Sequence, residues 1–74
     1  MVTRTFSAVV HREEDLYVAT CPEVGTVSQG RTIEEAVANL KEATELYLEE
    51  FGVPSTGVPI LTLFEAMLDG AARA

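Results

Sequence analysis

Hydrophobic positions recur at three- and four-residue steps through residues 32–52, and this period predicts one amphipathic helix. Its apolar positions are Ile33, Ala36, Val37, Leu40, Ala43, Tyr47, Leu48 and Phe51. Thr32 and Glu35 have capping-box spacing, in which the Glu35 carboxylate reaches back to the Thr32 amide, and Gly52 supplies a left-handed residue that ends the helix. Both helix ends are thus marked, and we expect the apolar stripe to be buried.

The chain before the helix predicts a three-stranded antiparallel meander. Residues 2–10 are rich in β-branched and small side chains and predict the first strand, followed by a polar hairpin connection at residues 12–15. The second strand is predicted at residues 16–21, and Pro22 ends it because proline has no N–H for the ladder. A short third strand is predicted at residues 26–28. The helix then folds back across this sheet.

Both faces of the second predicted strand carry apolar side chains. Leu16 and Val18 lie on one face, and Tyr17, Ala19 and Cys21 lie on the other. One face takes the helix. The other is either covered by a second subunit or a partner, or it is the half-exposed face of an ordinary antiparallel sheet.

The C-terminal apolar segment is compatible with two predictions. Residues 60–64 read as a fourth strand, whereas Thr62 followed by Glu65 predicts a short helix that Gly70 closes. Its apolar side chains are too numerous for a free tail, so we expect them to cover the core or to form a subunit contact. The fold class is therefore α+β: a three- to four-stranded, antiparallel-rich sheet with one long helix on one face and a short C-terminal strand or helix, in a single domain over residues 1–74.

Size and charge narrow the function classes. The chain has 74 residues, with 12 acidic and 5 basic side chains and a formal net charge of −7. A phosphate backbone would repel this surface, so direct nucleic-acid binding is disfavoured. No apolar run is long enough to span a membrane, and the N-terminal segment lacks the apolar core of a secretion signal, so we expect a cytoplasmic protein. A domain this small without disulfides or metal ligands is typically stabilised by self-association, so we expect a homodimer or higher oligomer.

Candidate catalytic residues are few. His11 is the only histidine and Cys21 the only cysteine, and a hairpin register that brings them together would make a nucleophile and base pair. A surface histidine and a small buried thiol are the favoured interpretation, because no third group orients such a pair. The sequence contains no phosphate-binding glycine loop and no Cys/His metal spacing. We therefore expect neither an enzyme nor a cofactor.

The stretch 17–52 carries several short runs in a distinctive order: Pro22-Glu23, Ser28-Gln29-Gly30 before Thr32, Glu34-Glu35-Ala36, Asn39-Leu40, Glu42-Ala43 and Leu46-Tyr47-Leu48-Glu49. In this order they resemble the HicB-type antitoxin family. The resemblance implies a partial RNase H-like β-β-β-α-β fold and adds weight to a fourth strand near Ile60. It also implies binding to a small basic toxin of the HicA type, which cleaves RNA.

Two departures limit this resemblance. Val24-Gly25-Thr26 stands where family members usually have Pro-Gly-Cys. Family members also often carry a C-terminal DNA-binding module, and residues 53–74 are too few for both that module and a closing strand. We therefore expect no operator binding by this chain alone. Nor do we expect RNase H-like nuclease activity, because the predicted first strand lacks the carboxylate that a metal site would need.

The function expected from these observations is that of an antitoxin-like domain, with a stand-alone structural or regulatory oligomer without a toxin partner as the alternative. The acidic side chains predicted to bind the partner are Glu13, Glu14, Asp15, Glu23, Glu42 and Glu45. The side chains predicted to form the oligomer contact are Tyr17, Ala19, Ile60, Leu63, Phe64 and Met67.

Overall fold

The computed structural model describes residues 3–54 and 59–69. The elements are β1 (Val9–Glu13), β2 (Leu16–Cys21), β3 (Thr26–Gly30) and α1 (Ile33–Phe51). The three strands form one antiparallel sheet in the order β1-β2-β3, with β2 in the centre. The predicted α+β class and the strand-strand-strand-helix order are confirmed.

Both ends of α1 are fixed by local hydrogen bonds. At the N-terminus, Thr32 Oγ1 accepts a hydrogen bond from Glu35 N over 3.0 Å. The Glu35 carboxylate accepts one from Arg31 N over 2.6 Å, so it caps the preceding amide rather than the Thr32 amide that the sequence predicts. At the C-terminus, Gly52 adopts a φ of 82° and donates its N–H to Leu48 O over 2.8 Å.

The core between α1 and the sheet is made of small side chains. Its buried hydrophobic members are Ala19, Cys21, Ala36 and Leu40. The helix packs mainly on β3 and β2, and it lies so close to Gly30 that a Cβ there would be 2.6 Å from Ala36 N. Since Ala36 N is a backbone atom that cannot rotate away, only glycine fits this position.

Two polar contacts tie α1 to β3 in addition to this packing. The hydroxyls of Thr26 and the buried Thr44 are hydrogen-bonded at 2.7 Å. Nearer the start of the helix, Asn39 Nδ2 donates to Gln29 O over 2.8 Å. These bonds satisfy polar groups that the helix would otherwise cover, so they fix its position along the sheet.

The prediction for β1 is wrong in its boundaries. The strand covers Val9–Glu13 rather than residues 2–10, and Arg12 and Glu13 pair with β2 instead of forming the connection. The turn is reduced to Glu14 and Asp15 because Glu14 takes a φ of 56°, and its carbonyl accepts a hydrogen bond from Arg12 Nε over 3.1 Å. The register would set Ala8 opposite Cys21, the last residue of β2, so residues before Ala8 have no strand residue to pair with. β3 is longer than predicted and extends to Gly30.

The C-terminal tail, defined here as residues 59–69, forms neither the predicted fourth strand nor the predicted short helix. Gly70 lies outside the described residues. The large apolar side chains of the tail, from Ile60 to Leu68, are between 61% and 98% exposed, so the prediction that they cover their own core is wrong. The physical reason is that a strand is stable only when it pairs with an edge and a short helix only when it packs on a surface, and the tail does neither here.

We predict that Gly30→Ala lowers the free energy of unfolding by about 1–3 kcal/mol, because the new methyl group overlaps the backbone of the first helical turn. Urea unfolding followed by circular dichroism measures the change. Gln29→Ala is the matched control, since it alters the adjacent exposed position and leaves the Gln29 carbonyl in place. Equal midpoints for the two variants would contradict this account of helix docking.

Candidate functional site

The possible His11 and Cys21 pair is not assembled. His11 lies opposite Val18 on the face of the sheet that points away from the helix, and its Nε2 is 3.0 Å from Glu13 Oε2. Cys21 lies on the helix side and is 1% exposed. Its thiol donates to Glu23 Oε1 over 3.4 Å. The interpretation of Cys21 as a small buried thiol is confirmed.

Two other classes of site have no candidate in the part of the chain that the structure describes. Residues 3–54 and 59–69 contain no group of three or more His, Cys, Asp or Glu side chains that could hold a metal ion. In the same ranges, no helix has the length and apolar character required to cross a membrane.

The outer face of the sheet, meaning the face opposite α1, has no described element packed on it. Cross-strand neighbours place Val9, Thr20 and Val27 in one row and His11, Val18 and Gln29 in the next. Val9 and Val27 are exposed, whereas Val18 and Thr20 on the central strand are half-buried by their neighbours. This face is apolar at one end and polar at the other.

Two of the residues predicted to form the oligomer contact lie on the helix side instead. Ala19 is fully buried beneath α1, and Tyr17 is half-buried against the same core. Ala19 therefore has no surface left for a second subunit, because its own helix already covers it. The four predicted contact residues of the tail are different, since all of them are highly exposed: Ile60, Leu63, Phe64 and Met67.

The predicted partner-binding acids are divided among three places. Glu13, Glu14 and Asp15 are exposed at the β1–β2 turn. A cavity of about 390 Å³ lies beside this turn, lined by Glu13 and Glu14 with Leu16, Val18 and Gln29 of the outer face. The turn acids therefore lie beside a mostly polar cavity in which Leu16 and Val18 are the apolar members, at the polar end of the outer face.

The second place is the exposed side of α1, which carries Glu42 and Glu45. Glu45 accepts a hydrogen bond from Lys41 Nζ over 2.8 Å, one helical turn away. This hydrogen bond, together with the attraction between the two charges, raises the pKa of Lys41. Part of the negative charge on this face is thus already neutralised within the chain.

Glu23, the third place, holds the N-terminal segment. Its carboxylate accepts hydrogen bonds from Ser7 Oγ over 2.5 Å and from Ser7 N over 3.0 Å. The side-chain bond to Ser7, followed by the backbone bond, lowers the pKa of Glu23, and the Cys21 thiol adds a smaller effect. These bonds fasten residues 3–8 beside the end of β2. Glu23 is thus occupied within its own chain.

The fastened segment forms one wall of an open cavity of about 530 Å³, which we call the groove. The other wall is α1. The apolar residues that line the groove are Phe6, Ala8, Val37, Leu40, Leu48 and Val53. The charged residues that line it are Arg4, Lys41 and Glu45. Sequence reasoning missed the groove because it placed residues 3–8 in a strand. The sequence signal that could have indicated the groove is the width of the apolar stripe of α1, because Val37 and Leu48 extend it beyond the part that the sheet covers.

Comparison with known proteins adds a family. A UPF0150 protein of Synechocystis is 38% identical over 58 residues, which cover 76% of this chain and 84% of that protein. The chain belongs to the UPF0150 family. A UPF0150 protein of Helicobacter pylori is 51% identical over 43 residues, which cover 57% of this chain and 60% of that relative's length. No family model matches the chain. No solved structure matches it either.

We predict that the bonds between Glu23 and Ser7 make stability pH-dependent. Because folding lowers the Glu23 pKa below its ordinary value of 4.5, the stabilisation is complete above that value and is lost as the pH falls through the lower folded-state pKa. Glu23→Gln should remove this part of the pH dependence and loosen residues 3–8. Thermal unfolding between pH 3 and 7 measures it, with Glu49→Gln as the exposed control. Identical pH profiles for Glu23→Gln and the unmutated protein would contradict the assignment.

Proposed function

We propose that this UPF0150 protein is a HicB-like antitoxin domain that binds and neutralises a small basic, RNA-cleaving toxin of the HicA type in the cytoplasm. It acts as a binding protein, without catalysis and without a cofactor. The observation that carries the proposal is the acidic β1–β2 turn, with Glu13, Glu14 and Asp15 exposed beside the uncovered outer face of the sheet.

The order of the described elements supports the antitoxin proposal. The order of three antiparallel strands followed by one helix agrees with the first four elements of the partial RNase H-like fold that the resemblance implies. The resemblance runs over residues 17–52, which include β3, α1 and all of β2 except Leu16. These elements form the scaffold on which the acidic turn and the outer face are displayed.

Charge and apolar surface have separate roles in this proposal. The net charge of −7 attracts a basic protein, and this attraction speeds encounter and excludes acidic partners. The energy of the complex comes chiefly from burying apolar side chains at the centre of the contact. Val9, Val18 and Leu16 of the outer face are available for that purpose, with the turn acids at the rim.

The second candidate function is a stand-alone structural or regulatory oligomer that has no toxin partner. The exposed apolar tail favours it, because side chains such as Leu63 and Met67, 97% and 98% exposed, are suited to a contact between copies. The two functions would use different surfaces, because the tail and the acidic turn are different parts of the chain. They differ in whether a basic partner exists.

We predict that Glu14→Gln with Asp15→Asn slows association with the basic protein encoded beside this gene by about 10-fold at low salt, and that the difference fades at high salt. Glu49→Gln with Glu50→Gln is the control, because it changes the net charge equally on another exposed surface. Stopped-flow binding at two salt concentrations measures the rates.

Co-expression with the same toxin supplies the functional readout, and the unmutated chain should restore growth. Equal slowing by both pairs would mean that overall charge, and not the turn, guides association. A neighbouring gene product that is not basic, or that does not bind the purified chain, would contradict the antitoxin proposal and favour the stand-alone oligomer.

A further inference from the structure

We propose that the groove receives the C-terminal tail of a second copy of this chain, and that two copies exchange their tails reciprocally. The proposal assigns an occupant to a cavity that the antitoxin function leaves unused. It does not depend on that function, because the tail and the groove are separate from the β1–β2 turn and the outer face.

The C-terminal tail is an exposed apolar segment. Residues 59–69 carry large apolar side chains that the rest of the chain leaves in solvent: Ile60, Leu61, Leu63, Phe64, Met67 and Leu68. A soluble protein rarely exposes so much contiguous apolar surface unless it is a contact site. This segment therefore needs a cover, and none of the described elements of its own chain provides one.

The groove is a cavity whose mainly apolar lining matches the apolar side chains of the tail. Its volume of about 530 Å³ is in the range of sites that enclose a mainly apolar ligand. Phe6 and Val53 lie at its walls, and Val37 is still 38% exposed although it belongs to the apolar stripe of α1. An aromatic side chain such as Phe64, with an aliphatic neighbour, suits a cavity of this size.

Charge and length also fit the tail to the groove. The tail contains Glu65 and Asp69 and no Lys or Arg, whereas the groove is lined by Arg4 and by Lys41, which is paired with Glu45 of the same lining, so its charge is slightly positive. The helical wall from Val37 to Leu48 is about 17 Å long at 1.5 Å per residue. An extended tail of 11 residues reaches roughly 35 Å, so it can run the full length of the groove.

The structure favours a second copy over the same chain as the source of the tail. Pro54 is held beside the groove, since its carbonyl accepts a hydrogen bond from Arg4 Nη1 over 3.3 Å. Although the chain leaves α1 at the edge of the groove, the tail is exposed and the groove is open. A twofold exchange uses each tail and each groove once, so that both gain a cover.

The area involved is sufficient for a stable dimer. Each large apolar side chain removes on the order of 100 Å² from water when it is buried. Since an extended tail turns alternate side chains to opposite faces, about three of the six from each copy enter the groove, so the two tails bury roughly 600 Å². With the groove surface that they cover, the total is roughly 1,000 Å², which is about the minimum expected of a biological interface.

The test is the mass of the purified full chain by light scattering over a wide concentration range. The unmutated protein should have twice the monomer mass of 8.0 kDa, and Phe64→Asp should reduce it to the monomer, with a dissociation constant at least 100-fold higher. Val37→Asp should do the same from the groove side. Val27→Asp is the matched control, because it places the same charge on the exposed outer face, and the dimer should persist.

Mixing the two monomeric variants tests the exchange itself. The Phe64→Asp chain keeps an intact groove and the Val37→Asp chain keeps an intact tail, so the mixture should form a heterodimer that neither variant forms alone. Circular dichroism verifies that each variant is folded. Should Val37→Asp unfold, Val37→Cys in one copy and Phe64→Cys in another should cross-link between chains, since the buried Cys21 does not compete.

Three results would overturn the proposal. A monomer mass for the unmutated protein at all concentrations is the first. The second is dissociation by Val27→Asp as complete as that by Phe64→Asp, which would place the contact on the outer face. The third is cross-linking only within one chain that carries both cysteines, which would show that the tail closes over its own groove. The first and third results do not bear on toxin binding.

Discussion

The close approach of α1 to β3 at Gly30 is the constraint on which the rest of the structure depends. The helix backbone at Ala36 lies where a side chain at Gly30 would be, so the helix begins almost against the strand that precedes it. The connection is only Arg31 and Thr32, and the Glu35 carboxylate caps the Arg31 amide. A short connection and a missing side chain together fix which face of the sheet is covered.

This close docking also determines the size of the core. Ala19 and Ala36 belong to the buried cluster between helix and sheet, and Leu40 is the largest of its hydrophobic side chains. A core of this size gives a 74-residue chain limited stabilisation, because a small domain hides a small share of its surface. The side chains at the edges of the apolar stripe of α1, such as Val37 and Phe51, extend past the sheet and stay exposed.

Sequence reasoning was most successful where local signals and burial agree. The capped helix and β2 were predicted with correct bounds, because their apolar periods are the same ones that the core requires. β1 was misplaced because the β-branched residues before Val9 suit a strand, yet pairing is limited by the length of β2. The role of Glu23 in holding the N-terminal segment could not be predicted, since its hydrogen-bond partner Ser7 is distant in sequence and comes close only in the fold.

The uncovered surfaces follow from the same geometry. α1 covers one face of a three-stranded sheet, so the outer face is open, and the wall of residues 3–8 stands far enough from Val37 and Leu48 to leave the groove. A chain that buried these surfaces itself would need the fourth strand that the tail does not form. The apolar area that the described residues leave exposed is therefore available for association.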